Sequence, residues 1–349
     1  MTAQRVHPTR SSAAVAGCGR QRVHWLRELS SPGATEGSRA PPVGAGYACN
    51  EMSETPRRTL RALLAEPRLH VVPGVTNAFV AKQAQAVGFE IVFTTGGGFA
   101  NTLLGTPDVG LTSLTETVML TRYVTTGVTV PVIADADTGY GNHLNVLRTV
   151  RELEDAGVAG LVLEDQIAPK RCGHFEGKTI IPTEEMVGKL VAATRARRDD
   201  DLVLVARTDA IASEGFETAI ERARAYEAAG ADVIYVEAPR TAEEMAAVPA
   251  AMEKPCLIDM VEGGFTPLLP AEELERMGYR LALYANFALR VAARAVERGL
   301  TVLREQGTSA PLLDEMFSWE ERQETVGFTQ WERFDESVTA EARRLVEGD

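Results

Sequence analysis

The sequence has few of the features that mark membrane proteins, disulfide scaffolds or nucleic-acid-binding proteins. It has no apolar run of about 18 residues, so no segment is expected to span a bilayer. Its four cysteines, Cys18, Cys49, Cys172 and Cys256, are scattered without a C-x-x-C spacing, which argues against a disulfide framework and predicts a cytoplasmic location. Lysine and arginine (36) are outnumbered by aspartate and glutamate (49), so nucleic acid and anionic membrane are not expected as partners.

The first 51 residues differ in composition from the remainder of the chain. They contain six arginines against three acidic residues, together with many serine, glycine, alanine and proline residues. No apolar segment follows the early arginines, as it would in a secretory signal. We interpret residues 1–55 as a disordered leader or an over-extended start before Met52, with transit-peptide character as the alternative.

From Leu69 onward, short apolar segments alternate with amphipathic segments. Eight such pairs within about 240 residues predict an α/β fold, a closed parallel (β/α)₈ TIM barrel over residues 56–306. A doubly wound dinucleotide-binding sheet is disfavoured because no G-x-G-x-x-G follows the first predicted strand. The predicted strands are 69–75, 91–95, 130–134, 161–163, 202–206, 233–236, 255–258 and 281–284.

Residues 307–349 form a polar segment with a helical pattern and several large aromatic side chains, including Trp319, Trp331 and Phe334. This is more aromatic surface than a free tail would carry. We therefore expect a C-terminal helical extension that packs on a neighbouring subunit or over the mouth of the barrel.

Polar residues follow the second and third predicted strands, where barrels place their chemistry. Thr95, Gly96 and Gly97 offer consecutive N–H groups that suit a carboxylate, with a plain flexible turn as the alternative. Asp135 and Asp137 point the same way and would repel each other unless a cation lay between them. Their oxygen ligands predict Mg²⁺ or Mn²⁺, with a solvated turn as the alternative.

Charged residues also follow the next four strands: Glu164, Arg207, Glu237 and Asp259. Charge at five successive strand ends indicates a functional site rather than a set of solvated termini. Arg207 predicts an anionic substrate, a small-molecule carboxylate. Asp108, on the loop after the second strand, either reaches this site or caps the following helix.

Cys172 lies on a glycine-bearing loop after the fourth strand. Its neighbours Lys170, Arg171 and His174 are expected to favour the thiolate or to tune the thiol. Cys256 lies within an apolar segment and is expected to be structural.

At these residues the chain resembles the isocitrate lyase/phosphoenolpyruvate mutase superfamily, over residues 59 to 304. The Lys-Arg-Cys-Gly-His loop is similar to those of 2-methylisocitrate lyases, 2,3-dimethylmalate lyases and carboxyphosphonoenolpyruvate phosphonomutases. The motifs that carry the resemblance are Thr95-Gly96-Gly97-Gly98, Gly105-Thr106-Pro107-Asp108, Asp135-Ala136-Asp137-Thr138-Gly139-Tyr140-Gly141, Glu164-Asp165-Gln166, Lys170-Arg171-Cys172-Gly173-His174 and Ala206-Arg207-Thr208-Asp209.

The resemblance implies a barrel whose last helix is swapped between the subunits of a homotetramer. It implies that Asp135 and Asp137 hold Mg²⁺ or Mn²⁺ with Glu164 close by, and that Cys172 is the general acid on a loop that closes over the site. Glu164 and Arg207 are expected to act in catalysis with Cys172. The residues expected to contact substrate are Thr95, Gly96, Gly97, Asp108, Gly173, His174, Arg207, Glu237, Asp259 and Arg290.

Three positions depart from the family pattern. Asp259 stands where the family usually has asparagine, Ala285-Asn286-Phe287 replaces a Pro-Leu-Ser segment, and Trp319 replaces a second substrate arginine of methylisocitrate lyases. A lost cation and a gained carboxylate favour a substrate smaller or more apolar than a tricarboxylate.

We therefore expect a Mg²⁺-dependent lyase that cleaves a C–C bond of a 2-hydroxy (alkylmalate-type) dicarboxylic acid. Its products would be an α-keto acid such as pyruvate and a carboxylic acid. The alternatives are a carboxyphosphonoenolpyruvate-type phosphonomutase, which forms a P–C bond, and a non-catalytic ligand-binding barrel.

Overall fold

The computed structural model describes residues 55–174 and 177–347. The predicted leader lies outside these residues, except for Thr55.

Eight parallel strands form a closed barrel in which each strand pairs with the next in the chain and β8 pairs with β1. The predicted eight-stranded barrel is thus confirmed. Several strands extend further toward their carboxyl ends than the apolar pattern indicated, because Asp135, Glu164, Arg207 and Asp259 are themselves paired in the sheet. The strands are β1 His70–Val75, β2 Val92–Thr94, β3 Val132–Asp135, β4 Gly160–Glu164, β5 Val203–Thr208, β6 Val233–Val236, β7 Cys256–Asp259 and β8 Leu281–Tyr284.

Helices follow the strands and surround the barrel, as the alternating pattern predicts. A π-helix, Ala100–Leu104, and a 3₁₀-helix, Ala310–Glu315, complete the helical structure of the residues described. The α-helices are α1 Pro56–Ala65, α2 Ala78–Val87, α3 Gly96–Phe99, α4 Leu114–Thr125, α5 His143–Asp155, α6 Thr183–Ala196, α7 Ile211–Glu214, α8 Phe216–Ala228, α9 Ala242–Ala250, α10 Ala271–Met277, α11 Phe287–Gln306, α12 Trp319–Val326 and α13 Phe328–Glu347.

Apolar side chains fill the barrel interior and exclude water from it. Phe93, Ile133, Val162 and Leu283 are among the buried residues of this interior cluster, and Leu60 of α1 joins it. Arg57 and Arg61 of α1 form ion pairs with carboxylates that precede β5 and β6. Helix α1 therefore closes the amino-terminal end of the barrel, which leaves the carboxyl ends of the strands for chemistry.

The glycines after β2 form a short helix, α3, where the sequence predicted a turn and a long loop. The side chain of Thr95 accepts a hydrogen bond from the Gly98 N–H at 3.2 Å and caps this helix. A β-carbon at Gly98 would lie 2.7 Å from Cγ2 of Thr76. Glycine is needed at position 98 for this close packing. The hydrogen bond from the Thr95 cap offsets the low helix propensity of the three glycines.

The C-terminal extension is helical, as predicted, and its apolar side chains face solvent. Helices α11, α12 and α13 contain no buried residue. The large apolar side chains exposed along them include Val291, Leu300, Trp319, Phe328, Trp331, Phe334 and Leu345. The predicted exchange of a helix between subunits stays a prediction.

No helix in the two described stretches combines the length and apolar character that crossing a bilayer requires.

Candidate active site

A polar cavity of about 50 Å³ lies at the carboxyl ends of the strands. A larger open groove, of about 670 Å³, lies against α12 and α13 on the exposed extension, away from the convergent charged residues. Gly96, Asp137 and Glu164 border the polar cavity through contacts with its lining. The predicted site residues that line the cavity itself are Thr95, Gly97, Asp108, Asp135, Cys172, Gly173, His174, Arg207, Glu237 and Asp259.

Three carboxylates, Asp135, Asp137 and Glu164, form what we call the acidic floor. Asp135 accepts hydrogen bonds from the Asp137 N–H at 3.0 Å and from the Gly96 N–H at 3.1 Å, so its side chain is fixed by backbone. Asp137 has a φ of 46°, a left-handed conformation that is rare for residues other than glycine. This strained turn directs two carboxylates to one place, which is characteristic of functional sites.

The acidic floor fits a hard divalent cation. Burial raises the pKa of Asp137 to about 6, with the Asp135 carboxylate adding to the effect and the Lys170 ammonium opposing it. Burial also raises the pKa of Glu164 well above its usual range, and its Oε1 atom has no hydrogen-bond partner among the described residues. A bound divalent cation would offset the cost of ionising these buried carboxylates, and their oxygen ligands suit Mg²⁺ or Mn²⁺.

Lys170 joins the loop that carries Cys172 to the acidic floor. Its Nζ atom lies 2.6 Å from Asp108 Oδ1 and 2.8 Å from Asp137 Oδ1. The sequence predicted that Lys170 would act on Cys172, but its charge is directed to these carboxylates. Asp108 reaches the site, and Ser113 caps the following helix instead.

The Cys172 thiol is held in its protonated form. Burial raises its pKa, and the Asp108 and Glu237 carboxylates add to this effect against Arg207 and the backbone N–H of His174. Of the two expected effects of the neighbouring residues, the raised pKa contradicts a favoured thiolate and leaves the alternative, a tuned thiol. The Arg171 side chain is exposed, and its backbone N–H and carbonyl are bound by the Gln166 amide at 2.9 and 2.8 Å.

Lys178, which the sequence analysis missed, fixes the same loop from the other side. This buried side chain donates to the Gly173 carbonyl and, at 2.7 Å, to Oδ1 of Asp209. We call residues 170–174 together with Lys178 the thiol loop. A lysine at this spacing has no local signal in the sequence, because its partners are set by the fold.

Arg207 lies at the centre of the cavity. It makes two hydrogen bonds to Asp209, at 2.9 and 3.1 Å, and its Nη2 atom lies 3.5 Å from Oε2 of Glu237. Although burial alone would raise the pKa of Glu237, Arg207 and His174 hold that pKa below its usual range. A guanidinium fixed in this way presents its remaining donors in a constant direction.

His174 and Asp259 lie at the opposite end of the cavity from the acidic floor. The Nδ1 atom of His174 accepts a hydrogen bond from the Phe265 N–H at 3.1 Å, and its Nε2 atom lies 3.0 Å from Oε1 of Glu237. Oδ2 of Asp259 accepts a long hydrogen bond from the Tyr235 hydroxyl at 3.4 Å. Burial and the Glu237 carboxylate raise the pKa of Asp259 to about 7.

Arg290, which was expected at the substrate, lies on α11 outside the cavity lining. It donates to the Glu262 carbonyl at 2.6 Å and lies 3.1 Å from Oε2 of the same residue. Trp319 is 66% exposed and stacks against Arg322 of its own helix.

The sequence is similar to those of several characterised enzymes. The family model described as phosphoenolpyruvate phosphomutase matches residues 60–303. The chain is 44% identical over 268 residues to 2,3-dimethylmalate lyase of Eubacterium barkeri, which covers 77% of this chain and 93% of that protein. It is 41% identical over 296 residues to 2-methylisocitrate lyase of Aeropyrum pernix, with 85% of this chain and 95% of that protein covered.

Solved structures of related enzymes superpose on this chain. Oxaloacetate acetylhydrolase in complex with 3,3-difluorooxalacetate superposes with a TM-score of 0.78 at 36% identity, covering 82% of this chain and 97% of that one. Phosphonopyruvate hydrolase in complex with oxalate and Mg²⁺ superposes with a TM-score of 0.72 at 31% identity, covering 84% of this chain and 100% of that one.

Proposed function

The chain belongs to the isocitrate lyase/phosphoenolpyruvate mutase superfamily and is a carbon–carbon lyase, and from that premise we propose its substrate class and mechanism. The substrate is a 2-hydroxy dicarboxylic acid of the alkylmalate type, cleaved to an α-keto acid such as pyruvate and a carboxylic acid. The observation that carries this proposal is the position of a protonated thiol, Cys172, which lines the same cavity as Arg207 and Asp135.

The acidic floor would hold Mg²⁺ or Mn²⁺ through Asp135 and Asp137, with Glu164 beside them. The bound cation would supply electrostatic stabilisation for negative charge on substrate oxygens. The Mg²⁺ complex of phosphonopyruvate hydrolase supports this choice of metal.

The keto-acid half of the substrate would lie between the floor and α3. The Gly96 N–H is already used by Asp135, and the Gly98 N–H by Thr95. Gly97 lines the cavity, so its N–H is the backbone donor left for the substrate carboxylate. Thr95 then positions the Gly97 N–H by capping α3, and Gly96 positions the floor through its hydrogen bond to Asp135.

The proton of the 2-hydroxyl group would pass to Glu164, which Arg207, Lys170 and the bound cation would hold ionised against burial, and whose Oε1 atom has no other partner in the described part of the chain. The C2–C3 bond breaks, the C2 oxygen becomes a carbonyl, and the bonding electrons move onto C3 and its carboxylate. Arg207 stabilises the two negative charges of this aci-carboxylate. Its fixed orientation requires no rearrangement during the step.

Cys172 then donates its proton to C3, which completes the carboxylic acid product. The raised pKa of Cys172 keeps this proton on sulfur until the carbanion forms. After the products leave, the proton held by Glu164 restores the thiol through solvent, so the cycle consumes no net proton.

A second candidate function is the hydrolytic C–C cleavage of oxaloacetate, which the superposition on oxaloacetate acetylhydrolase favours. The phosphonomutase alternative is disfavoured by the named lyases at 41–44% identity. The non-catalytic alternative is set aside for the same reason.

Substrate profiling with Mg²⁺ separates these functions. We expect pyruvate from alkylmalates in a coupled dehydrogenase assay, with loss of activity in EDTA and recovery with Mg²⁺ or Mn²⁺. Oxalate and acetate from oxaloacetate, without pyruvate from alkylmalates, would favour the hydrolase. A P–C product seen by ³¹P NMR would favour the phosphonomutase.

We also propose that a second copy of this chain covers the apolar side chains of α11–α13, as in a homo-oligomer that the resemblance gives as a tetramer. Light scattering should show a mass several times that of one chain, and Trp331→Glu should lower it. A monomeric wild-type protein would reject the proposal.

The free thiols of Cys172 and Cys256 support the proposed cytoplasmic location.

A further inference from the structure

Asp259 lies at the end of the cavity where β6 and β7 meet. Its side chain is 9% exposed, and its Oδ1 atom has no hydrogen-bond partner among the described residues. The Tyr235 hydroxyl, at 3.4 Å from Oδ2, is its one side-chain donor there, and the bond is long. Asp259 therefore offers an unsatisfied acceptor to any ligand that reaches this end.

The backbone N–H of Ala285 also faces the Asp259 carboxylate, but no neighbouring side chain supplies a donor to Oδ1. The Nδ1 atom of His174 accepts the Phe265 N–H, so a neutral imidazole carries its proton on Nε2, toward Glu237. Ligand atoms of His174, Glu237 and Asp259 lie within 4.8 Å of one another. The Glu237 carboxylate faces His174 Nε2 at 3.0 Å and Arg207 Nη2 at 3.5 Å, so it is an acceptor and cannot donate to Asp259.

Beyond the C3 carboxylate of the substrate, which the proposed function assigns to Arg207, the charges at this end leave no free cation for a further carboxylate. Three carboxylates, Asp209, Glu237 and Asp259, face two permanent cations, Arg207 and Lys178. Lys178 is bound to Asp209 and Gly173, and Arg207 is shared between Asp209 and Glu237. A ligand carboxylate beside Asp259 would meet like charge, and an alkyl group would leave Oδ1 of Asp259, a buried acceptor, without a donor.

We propose that Asp259 determines the substrate class of this site by selecting a hydroxyl group on the C3 substituent of the substrate. This inference rests on the proposed function, which places the keto-acid half at the acidic floor and so directs the C3 substituent toward β6 and β7. The substrate is then a 2-hydroxy dicarboxylic acid with a hydroxylated side chain. That hydroxyl donates to Asp259 or Glu237, which no carboxylate or alkyl group can do.

The same geometry makes selection depend on pH. Below about pH 7 Asp259 carries a proton and can donate to a ligand carboxylate, whereas above that value it only accepts. The groups that face it are Tyr235 of β6, Glu237 directly after β6, His174 of the thiol loop, Arg207 of β5 and the backbone N–H of Ala285 after β8. Tolerance of a carboxylated side chain should therefore fall as pH rises through about 7.

Three 2-methylmalates that differ only at C3, where they carry methyl, hydroxymethyl or carboxymethyl, test the proposal because each would release pyruvate. We expect wild-type kcat/KM for the hydroxymethyl acid to exceed that for the methyl acid about tenfold or more, as one hydrogen bond to a charged group predicts. Asp259→Asn, which adds an N–H donor at constant size, should raise the carboxymethyl-to-methyl ratio about tenfold and make it independent of pH. Glu243→Gln removes the same charge from an exposed position on α9 and should leave both ratios unchanged.

Calorimetry measures the binding of the same acids without turnover. It therefore tests the role of Asp259 separately from the proposed lyase function. If no acid releases pyruvate but the hydroxymethyl acid binds most tightly in the wild type and loses this advantage in Asp259→Asn, the lyase substrate is rejected and the role of Asp259 stands. Equal preference for the three acids, or ratios that Asp259→Asn does not change, would overturn it. So would Zn²⁺ that binds the wild type, fails to bind Asp259→Asn and competes with all three acids, since the cluster would then be a metal site.

Discussion

The acidic floor and the thiol loop meet in one cavity but are built in different ways. Asp135 and Glu164 belong to the sheet, and backbone N–H groups fix Asp135. The thiol loop is held to the barrel by side-chain contacts: those of Gln166 and Lys178, the contact of His174 with Phe265, and the ion pairs of Lys170 with Asp108 and Asp137. A floor made by the sheet forms when the barrel folds, whereas the position of the loop depends on these side-chain contacts. We therefore expect substitutions in the two regions to affect metal binding and proton delivery separately.

Removing a floor carboxylate should give the largest effect. Asp137→Ala should lower turnover by about 10³-fold or more, because several kcal/mol of charge stabilisation are lost with the cation. Calorimetry should show weakened Mg²⁺ binding in the same variant. Asp335→Asn, an exposed position on α13, is the charge-matched control. Unchanged Mg²⁺ affinity in Asp137→Ala would remove Asp137 from the metal site.

Cys172→Ser should lower turnover by about 10²-fold or more, because the hydroxyl is a much weaker acid than the thiol. Mg²⁺ binding and keto-acid binding should stay near the wild-type values, which distinguishes this variant from a floor variant. Cys256→Ser is the matched control, since burial raises the pKa of that thiol to about 12 and it lies at the other end of β7 from Asp259. Near-normal turnover in Cys172→Ser would reject its role as the acid.

Two buried lysines offer a direct contrast between the loop and the floor. Lys178→Met removes the donor to Gly173 and should lower kcat by about tenfold with Mg²⁺ affinity unchanged. Lys189→Met removes the donor to the Thr138 carbonyl, at 2.9 Å, and should instead weaken Mg²⁺ binding by about tenfold. If both variants change the same parameter, the two regions are not separable.

The smallest effect is expected at Arg290. In this structure Arg290 is paired with Glu262 outside the cavity lining, so Arg290→Gln should change kcat/KM by less than about threefold, as exposed ion pairs contribute little. A loss above tenfold, confined to KM, would support the substrate contact that the family resemblance implies.

The barrel and the clustering of charges at its strand ends could be predicted from sequence because both follow from local patterns. The spacing of apolar residues and the glycines that end helices predict the βα units. Charged residues directly after the predicted strands are expected at the carboxyl-terminal end of the barrel. Pairing across the barrel could not be predicted in this way. Lys170 is close to Cys172 in sequence yet directs its charge to Asp108 and Asp137, and the pKa of Cys172 rises because burial exceeds the effect of nearby cations.

The glycine of the thiol loop has a consequence for the order of events in the catalytic cycle. A β-carbon at Gly173 would collide with both Arg207 and Glu237, so the backbone there closes directly against that pair. A ligand that displaces Arg207 or Glu237 would fill the same space and hold the loop away. If the loop closes during the cycle, we expect closure to test substrate binding: the proton donor would be delivered only to a substrate that leaves Arg207 correctly placed, and a wrongly bound acid would be released before a bond is broken.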